Sequence, residues 1–141
     1  FNRIGHSQWK PDMIWFDDSD VYLTPNYYVQ KLFANHRGTY TIPLQKQDVK
    51  LRKEGIYVSA AVDAQGEIIL KLVNTNHREY ALMLEDADGL AVRTTGQMWK
   101  LRGTGEMPED RPELSAVTEE TAEIDGCVFI PAQSLVVIRY Q

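Results

Sequence analysis

Residues Trp9 to Gly38 read WKPDMIWFDDSDVYLTPNYYVQKLFANHRG. This stretch decides the fold, because it holds one strand, one loop and one helix with no second unit of that kind after it. Asp12 to Phe16, DMIWF, is a short continuous apolar run, the pattern of a strand buried on both faces as in a parallel sheet. The acidic DDSD at Asp17 to Asp20 reads as a loop. Thr24 followed by Pro25 starts a helix with a stated mechanism: the hydroxyl accepts an orphan amide hydrogen bond, and proline at the first helical position sacrifices no intrahelical donor. The helix is expected from about Pro25 to His36, with Tyr28, Val29, Leu32 and Phe33 on one stripe and Gly38 as a left-handed cap. A parallel strand with its helix is a unit that works by repetition, and here it stands alone.

From Thr39 onward the period changes from helical to alternating, and turn residues recur every ten or so positions, as an antiparallel sandwich requires. Ile56, Val58, Ala60 and Val62 share one strand face; Ile68, Leu70 and Leu72 share another after the tight DAQG turn, which predicts a hairpin. Tyr80, Leu82 and Leu84 alternate in the next strand of a meander of at least four. LAVRTTGQMWKL continues as one or two strands broken near Gly96. Gly103 to Glu120 is rich in glycine, proline and acid with little alternation, so a long surface loop is expected there. AEIDGCVFIP and SLVVIRYQ close the domain as two strands with Pro131 between them. The fold class is therefore mainly β, an antiparallel jelly-roll-like sandwich preceded by one strand-loop-helix segment, with the segment at 1–38 and the sandwich at 39–141.

Composition bounds the function. The chain has 141 residues, 43% apolar and 25% charged, enough for one ordinary core and an appendage. A net charge of -5 spread along the chain argues against nucleic acid, which demands a clustered basic face. Cys127 is the single cysteine, which rules out an internal disulfide and a multi-cysteine zinc site and leaves a small apolar residue in a strand. No apolar run approaches the roughly 20 residues of a membrane helix, and the first residues lack the layout of a secretion signal. Phe1 need not be a natural start.

Chemical motifs are sparse. A calcium loop needs spaced ligands and a turn glycine, which DDSD lacks. His6, His36 and His77 stand far apart without ligand spacing, so no metal is expected, and His36 is explained by the dipole at a helix C-terminus. There is no glycine-rich phosphate loop, no G-x-S-x-G elbow and no Cys/His pairing, so no cofactor is implied. Trp9, Trp15, Tyr22, Tyr27 and Tyr28 crowd the opening, with Trp99 in the sandwich; the reading is that they pack the opening unit onto the sandwich, and the alternative is a sugar-binding surface.

W-x-P-D-M-I-W-F-D followed by Y-L-T-P-N-Y-Y-V-Q-K-L-F-A-N-H-R-G resembles the segment that ends the catalytic barrel in the α-L-arabinofuranosidases of glycoside hydrolase family 51. In that family the unit is the last βα step of a (β/α)8 barrel, and the chain then enters a C-terminal β-sandwich of jelly-roll type. The resemblance covers essentially the whole chain and implies that its partner is the barrel of the same polypeptide, with the other seven units absent. For the parent it implies retaining removal of terminal arabinofuranosyl groups from plant polysaccharides by two carboxyl groups about 5 Å apart. Both family glutamates lie on barrel strands before this segment, whereas the first glutamate here is Glu54, inside the sandwich region, so no catalytic residue carries over. In some family members the loop after the eighth strand, about Asp17 to Asn26 here, contacts sugar; Thr24, standing where some branches carry glutamine, and Tyr27 are the substrate-binding candidates. The resemblance further implies export to the periplasm or medium, although no signal in the chain shows it.

Three functions follow: a non-catalytic domain that stabilises the barrel, a carbohydrate-binding module using Tyr57, Tyr80, Trp99 and Tyr140, and a self-contained enzyme, for which no motif speaks. With Trp15, Tyr28 and Phe33 deprived of barrel neighbours, self-association of the isolated chain is expected.

Overall fold

The computed structural model describes residues 2–3, 13–16, 18–44, 48–102 and 117–141. The elements are β1 (Asn2–Arg3), β2 (Ile14–Phe16), β3 (Val21–Leu23), α1 (Pro25–Asn35), β4 (Tyr40–Ile42), α2 (Asp48–Lys53), β5 (Ile56–Val62), β6 (Ile68–Asn74), β7 (Tyr80–Met83), β8 (Arg93–Arg102), β9 (Val117–Asp125), β10 (Cys127–Ile130) and β11 (Ser134–Tyr140). Six strands form one antiparallel sheet in the order β4-β5-β6-β11-β8-β9, and β7 pairs with β10 in a second. The pairs β6 with β11, β7 with β10 and β8 with β9 are nested, as in one long hairpin rolled over so that its middle rungs fall in the opposite sheet. That nesting is the jelly-roll character expected of the sandwich.

Strand β11 shows why the large sheet holds. Leu135, Val136, Val137 and Ile138 are all buried, so neither face of this strand meets water. Val136 and Ile138 join Ile56, Leu70, Leu72 and Met98 under Leu82, Val128 and Ile130 of the small sheet. Leu135 and Val137 point the other way, with Ile69 and Leu101, toward Leu32 of α1. The sheet thus has a core on each face: a sandwich core on one side and a helix-covered core on the other.

The mainly β class stands, and several local expectations are corrected. Strand β2 pairs parallel with β1 and antiparallel with β3, a strand absent from the sequence reading. It is not buried on both faces, since Phe16 is exposed and Ile14 only partly covered. The α1 stripe buries Leu32 and packs Tyr28 and Val29 beside it, but Phe33 lies at the edge, 42% exposed. Gly38 does not cap the helix in a left-handed conformation; its φ is not positive, and the position is glycine because a Cβ there would lie 2.3 Å from the Ala61 Cβ. The turn of α2 was also unforeseen, although its charges fit a helix dipole, with Asp48 in the first turn and Lys50, Arg52 and Lys53 in the last. Arg52 and Asp48 close it with an ion pair at 2.8 Å.

In the sandwich the β5–β6 hairpin is as expected. Asp63 Oδ1 accepts the amides of Gln65 and Glu67 at 2.9 and 3.0 Å, and Gly66 takes φ +85, a left-handed conformation that a Cβ would strain. After β6, however, the meander ends: β6 pairs with β11, and β7 crosses to the other layer. Strand β8 is continuous through Gly96, which lets β11 approach; a Cβ there would stand 2.6 Å from the Arg139 carbonyl oxygen. Strand β9 begins at Val117, so Val117 to Glu120 belong to a strand and not to the expected loop; the rest of that loop, 103–116, lies outside the described residues. No described helix is long and apolar enough to cross a membrane.

Candidate functional site

The two substrate-binding candidates lie at the start of α1. Thr24 is the N-cap residue in extended conformation, but its hydroxyl makes no cap bond. Instead Thr24 Oγ1 donates to the Met13 carbonyl oxygen at 3.0 Å, and the Thr24 amide donates to the same oxygen at 3.0 Å. The side chain is thereby committed to joining α1 to the approach to β2, and only 4% of the residue is exposed. The expected cap role is corrected on that ground: the hydroxyl donates to a backbone oxygen of the approach to β2 and accepts no helix amide. Tyr27 is partly buried and packs edge-on to Tyr28 with ring centroids 5.4 Å apart.

The other end of α1 carries the stronger electrostatic feature. His36, the C-cap residue, donates its backbone amide to Leu32 O at 3.1 Å. Its imidazole is buried and lies 4.1 Å from the Trp99 ring, tilted 45°. Among the described residues Nδ1 has no hydrogen-bond partner. Burial, and then the positive charges of Arg139 and Lys71, hold the imidazole below the ordinary histidine range, with Glu119 opposing weakly. His36 does stand at the C-cap of α1, where the dipole favours a cation, but burial and the two neighbouring cations act in the opposite direction. Beside it Lys71 Nζ sits 4.3 Å over the Phe33 ring, and burial pushes its ammonium downward. Arg139 is occupied by a clamp on the β5–β6 turn, with Asp63 Oδ2 at 2.5 Å and Glu67 as a second partner.

Carboxylates of the sandwich serve ion pairs and hydrogen bonds. Glu54 accepts the Tyr80 hydroxyl at 2.7 Å, which raises that phenol's pKa; Glu120 meets Lys100 at 2.6 Å, and Asp125 meets Arg93 at 2.8 Å. Among the described residues no three His, Cys, Asp or Glu side chains gather to hold a metal ion. What the arrangement does chemically is to join: it ties a helix and a small sheet to the two faces of a larger one.

Residues 1–125 match the family model of the α-L-arabinofuranosidase C-terminal domain. The chain belongs to that family. It is 28% identical to α-L-arabinofuranosidase 1 of Arabidopsis thaliana over 143 residues, an alignment covering 95% of this chain and 21% of that protein. Among solved structures, the arabinose-bound MgGH51 α-L-arabinofuranosidase superposes with a TM-score of 0.74 at 22% identity, over 94% of this chain and 22% of that one. The GH51 α-L-arabinofuranosidase of Thermotoga petrophila superposes with a TM-score of 0.66 at 18% identity, over 91% of this chain and 31% of its own. These superpositions show the fold, and together with the family match they bear out the family 51 C-terminal region read from the opening segment and the sandwich. The chain spans about a fifth of the length of its Arabidopsis relative.

Sequence reasoning missed the His36–Trp99 contact and the Arg139 clamp. Each joins residues far apart in the chain, and no local period announces them. The one available signal was Arg139 itself, a charge set in the apolar run of SLVVIRY.

Proposed function

We propose that this chain is the non-catalytic C-terminal part of a longer arabinofuranosidase, in which it covers and stabilises a catalytic barrel acting on arabinose-containing polysaccharides. The match of residues 1–125 to the C-terminal domain model carries this reading. In this proposal residues 1–38 are the terminal βα segment of the barrel and 39–141 the sandwich. Packing of Leu32 among Leu135, Val137 and Leu101 supports the arrangement, because it couples the segment to the sandwich through one apolar core. Thr24 and Tyr27 remain the proposed sugar-proximal pair, Thr24 acting by setting the start of α1 and Tyr27 by contact.

The test has two parts. The purified chain, freed of host enzymes, is assayed on an aryl α-L-arabinofuranoside, and no turnover is expected; genuine turnover overturns the reading. An antibody against the chain is used on a denaturing gel of source cells, where a band several times larger than 16 kDa is expected and a band at 16 kDa overturns the parent enzyme. Exposed Met13, Phe16, Val21 and Phe33 on the β2–β3–α1 side support self-association of the isolated chain, and sedimentation showing only monomer at high concentration overturns that part.

Tyr57 favours a second reading. It is 47% exposed on the face opposite the Ile56 and Val58 stripe, as a sugar-stacking ring would be. Titration calorimetry against arabinan and arabinoxylan decides it: measurable heat supports a carbohydrate-binding module, and none supports the structural role.

A further inference from the structure

We propose that His36 is a proton-operated latch, which when neutral holds the C-terminal end of α1 against Trp99 and when protonated releases it. The geometry has three parts. His36 is buried in the seam between helix and sheet, with the residue 7% exposed. Its ring lies against Trp99 of β8 at 4.1 Å. Nδ1 has no partner, so a proton there would create a buried charged donor with no acceptor among the described residues.

The charged surroundings make the cationic form worse. Facing His36 are Lys71 from β6, Arg139 from β11 and Glu119 from β9, the last opposite Trp99 in the β8–β9 register; Arg37 follows it on the chain. Arg139 is already engaged with Asp63 and Glu67, and Lys71 is seated on Phe33, so both cations are fixed in place. Glu119 is the one charged side chain that opposes them, and the carbonyl end of α1 and the Trp99 face act on its side. Two cations and burial against one exposed carboxylate leave the imidazolium disfavoured in the docked state.

The sign follows from linkage. His36 titrates lower when docked than the ordinary value of 6.5 that it regains when released. The docked state therefore binds fewer protons, docking is fully favoured above pH 6.5, and it weakens as pH falls from 6.5 toward the docked pKa. One proton sets the ceiling: opening of the helix end rises by up to about tenfold per pH unit within that window.

Amide hydrogen exchange of the full chain, corrected for intrinsic rates, tests this between pH 7.5 and 5. Amides at 32–36 are expected to lose protection as pH falls through 6.5, with a slope approaching tenfold per unit, while those at 135–138 hold theirs. In His36→Phe the ring is kept and the titration removed, so the slope is expected to vanish. Flat protection at 32–36 in the unmodified chain overturns the latch, as does an unchanged slope in the variant, which would assign the effect to His77 or His6. Should His36→Phe not fold, the imidazole resonances of the unmodified chain decide: a His36 midpoint below 6.5 that moves the amides at 32–36 with it supports the latch, and a midpoint at or above 6.5, or unmoved amides, overturns it.

Discussion

The side-chain amide of Asn74 donates to the carbonyl oxygen of Ile130 across 3.1 Å, although the two residues lie 56 positions apart. The same nitrogen reaches Pro131 O at 3.0 Å and Arg78 O at 2.9 Å, while Oδ1 accepts the Asn76 amide at 2.9 Å and its side-chain nitrogen at 3.0 Å. Asn74 is fully buried at the end of β6, where the chain leaves the large sheet for the small one. Its amide supplies donors to carbonyls at the end of β10 and in the connection that leads to β7, and so it fastens the crossing between layers.

Replacing Asn74 with leucine keeps most of the volume and removes every one of these bonds. We expect a loss of about 2–4 kcal/mol, since several buried polar groups are left unpaired together. Asn74→Asp should be at least as damaging at neutral pH, because a carboxylate has no donor to offer the three carbonyls. Urea unfolding with unchanged m-value measures both.

Truncation should separate the core between the two sheets from the outer side of the small one. Ile138→Ala opens a cavity beneath it and is expected to cost about 2–5 kcal/mol, whereas Phe129→Ala, on the exposed outer side of β10, should stay within about 0.5 kcal/mol. Equal losses in thermal unfolding would mean that Phe129 is covered in solution.

Two glycines should fail for different reasons. Gly96→Ala places a Cβ 2.6 Å from the Arg139 carbonyl oxygen and is expected to cost about 1–3 kcal/mol by forcing β8 from β11. Gly66→Ala meets no atom within 4 Å, yet at φ +85 it should cost about 1 kcal/mol from backbone strain. Gly66→Asn should recover most of that loss and no such rescue should exist at Gly96, since asparagine tolerates the left-handed region but adds bulk; denaturant midpoints show the difference.

Arg139→Met removes both the clamp on the β5–β6 turn and one of the charges facing His36. The histidine titration midpoint should rise toward 6.5, because a cause of its depression is gone while burial remains. Stability should fall by about 1–3 kcal/mol, since Asp63, with its side chain 8% exposed, loses its partner. An unmoved His36 resonance titration would show that Arg139 exerts no field at the ring.

The alternation of Ile56 to Val62 and Ile68 to Leu72, and the Asp-Ala-Gln-Gly turn between them, were legible because each rests on contacts within a few residues. So was α1, where Pro25 and the spacing of Tyr28, Val29 and Leu32 act within a single helix. The family lay in the same opening stretch. Thr24 misled because its hydroxyl could accept from the helix amides written next to it or donate to an oxygen supplied by the fold, and it does the second without the first. His36 misled likewise: its position named a helix end, and only the approach of β6, β8 and β11 made that end a buried, positively charged seam. Local sequence determined which segments alternate, coil and turn, since steric and hydrogen-bonding preferences act over a few residues. Tertiary structure alone decided that β7 changes layers, that Asn74 meets Ile130 and that His36 is buried against Trp99 with its pKa lowered, because pairing across 56 residues and burial of a titratable ring depend on what the rest of the chain brings alongside.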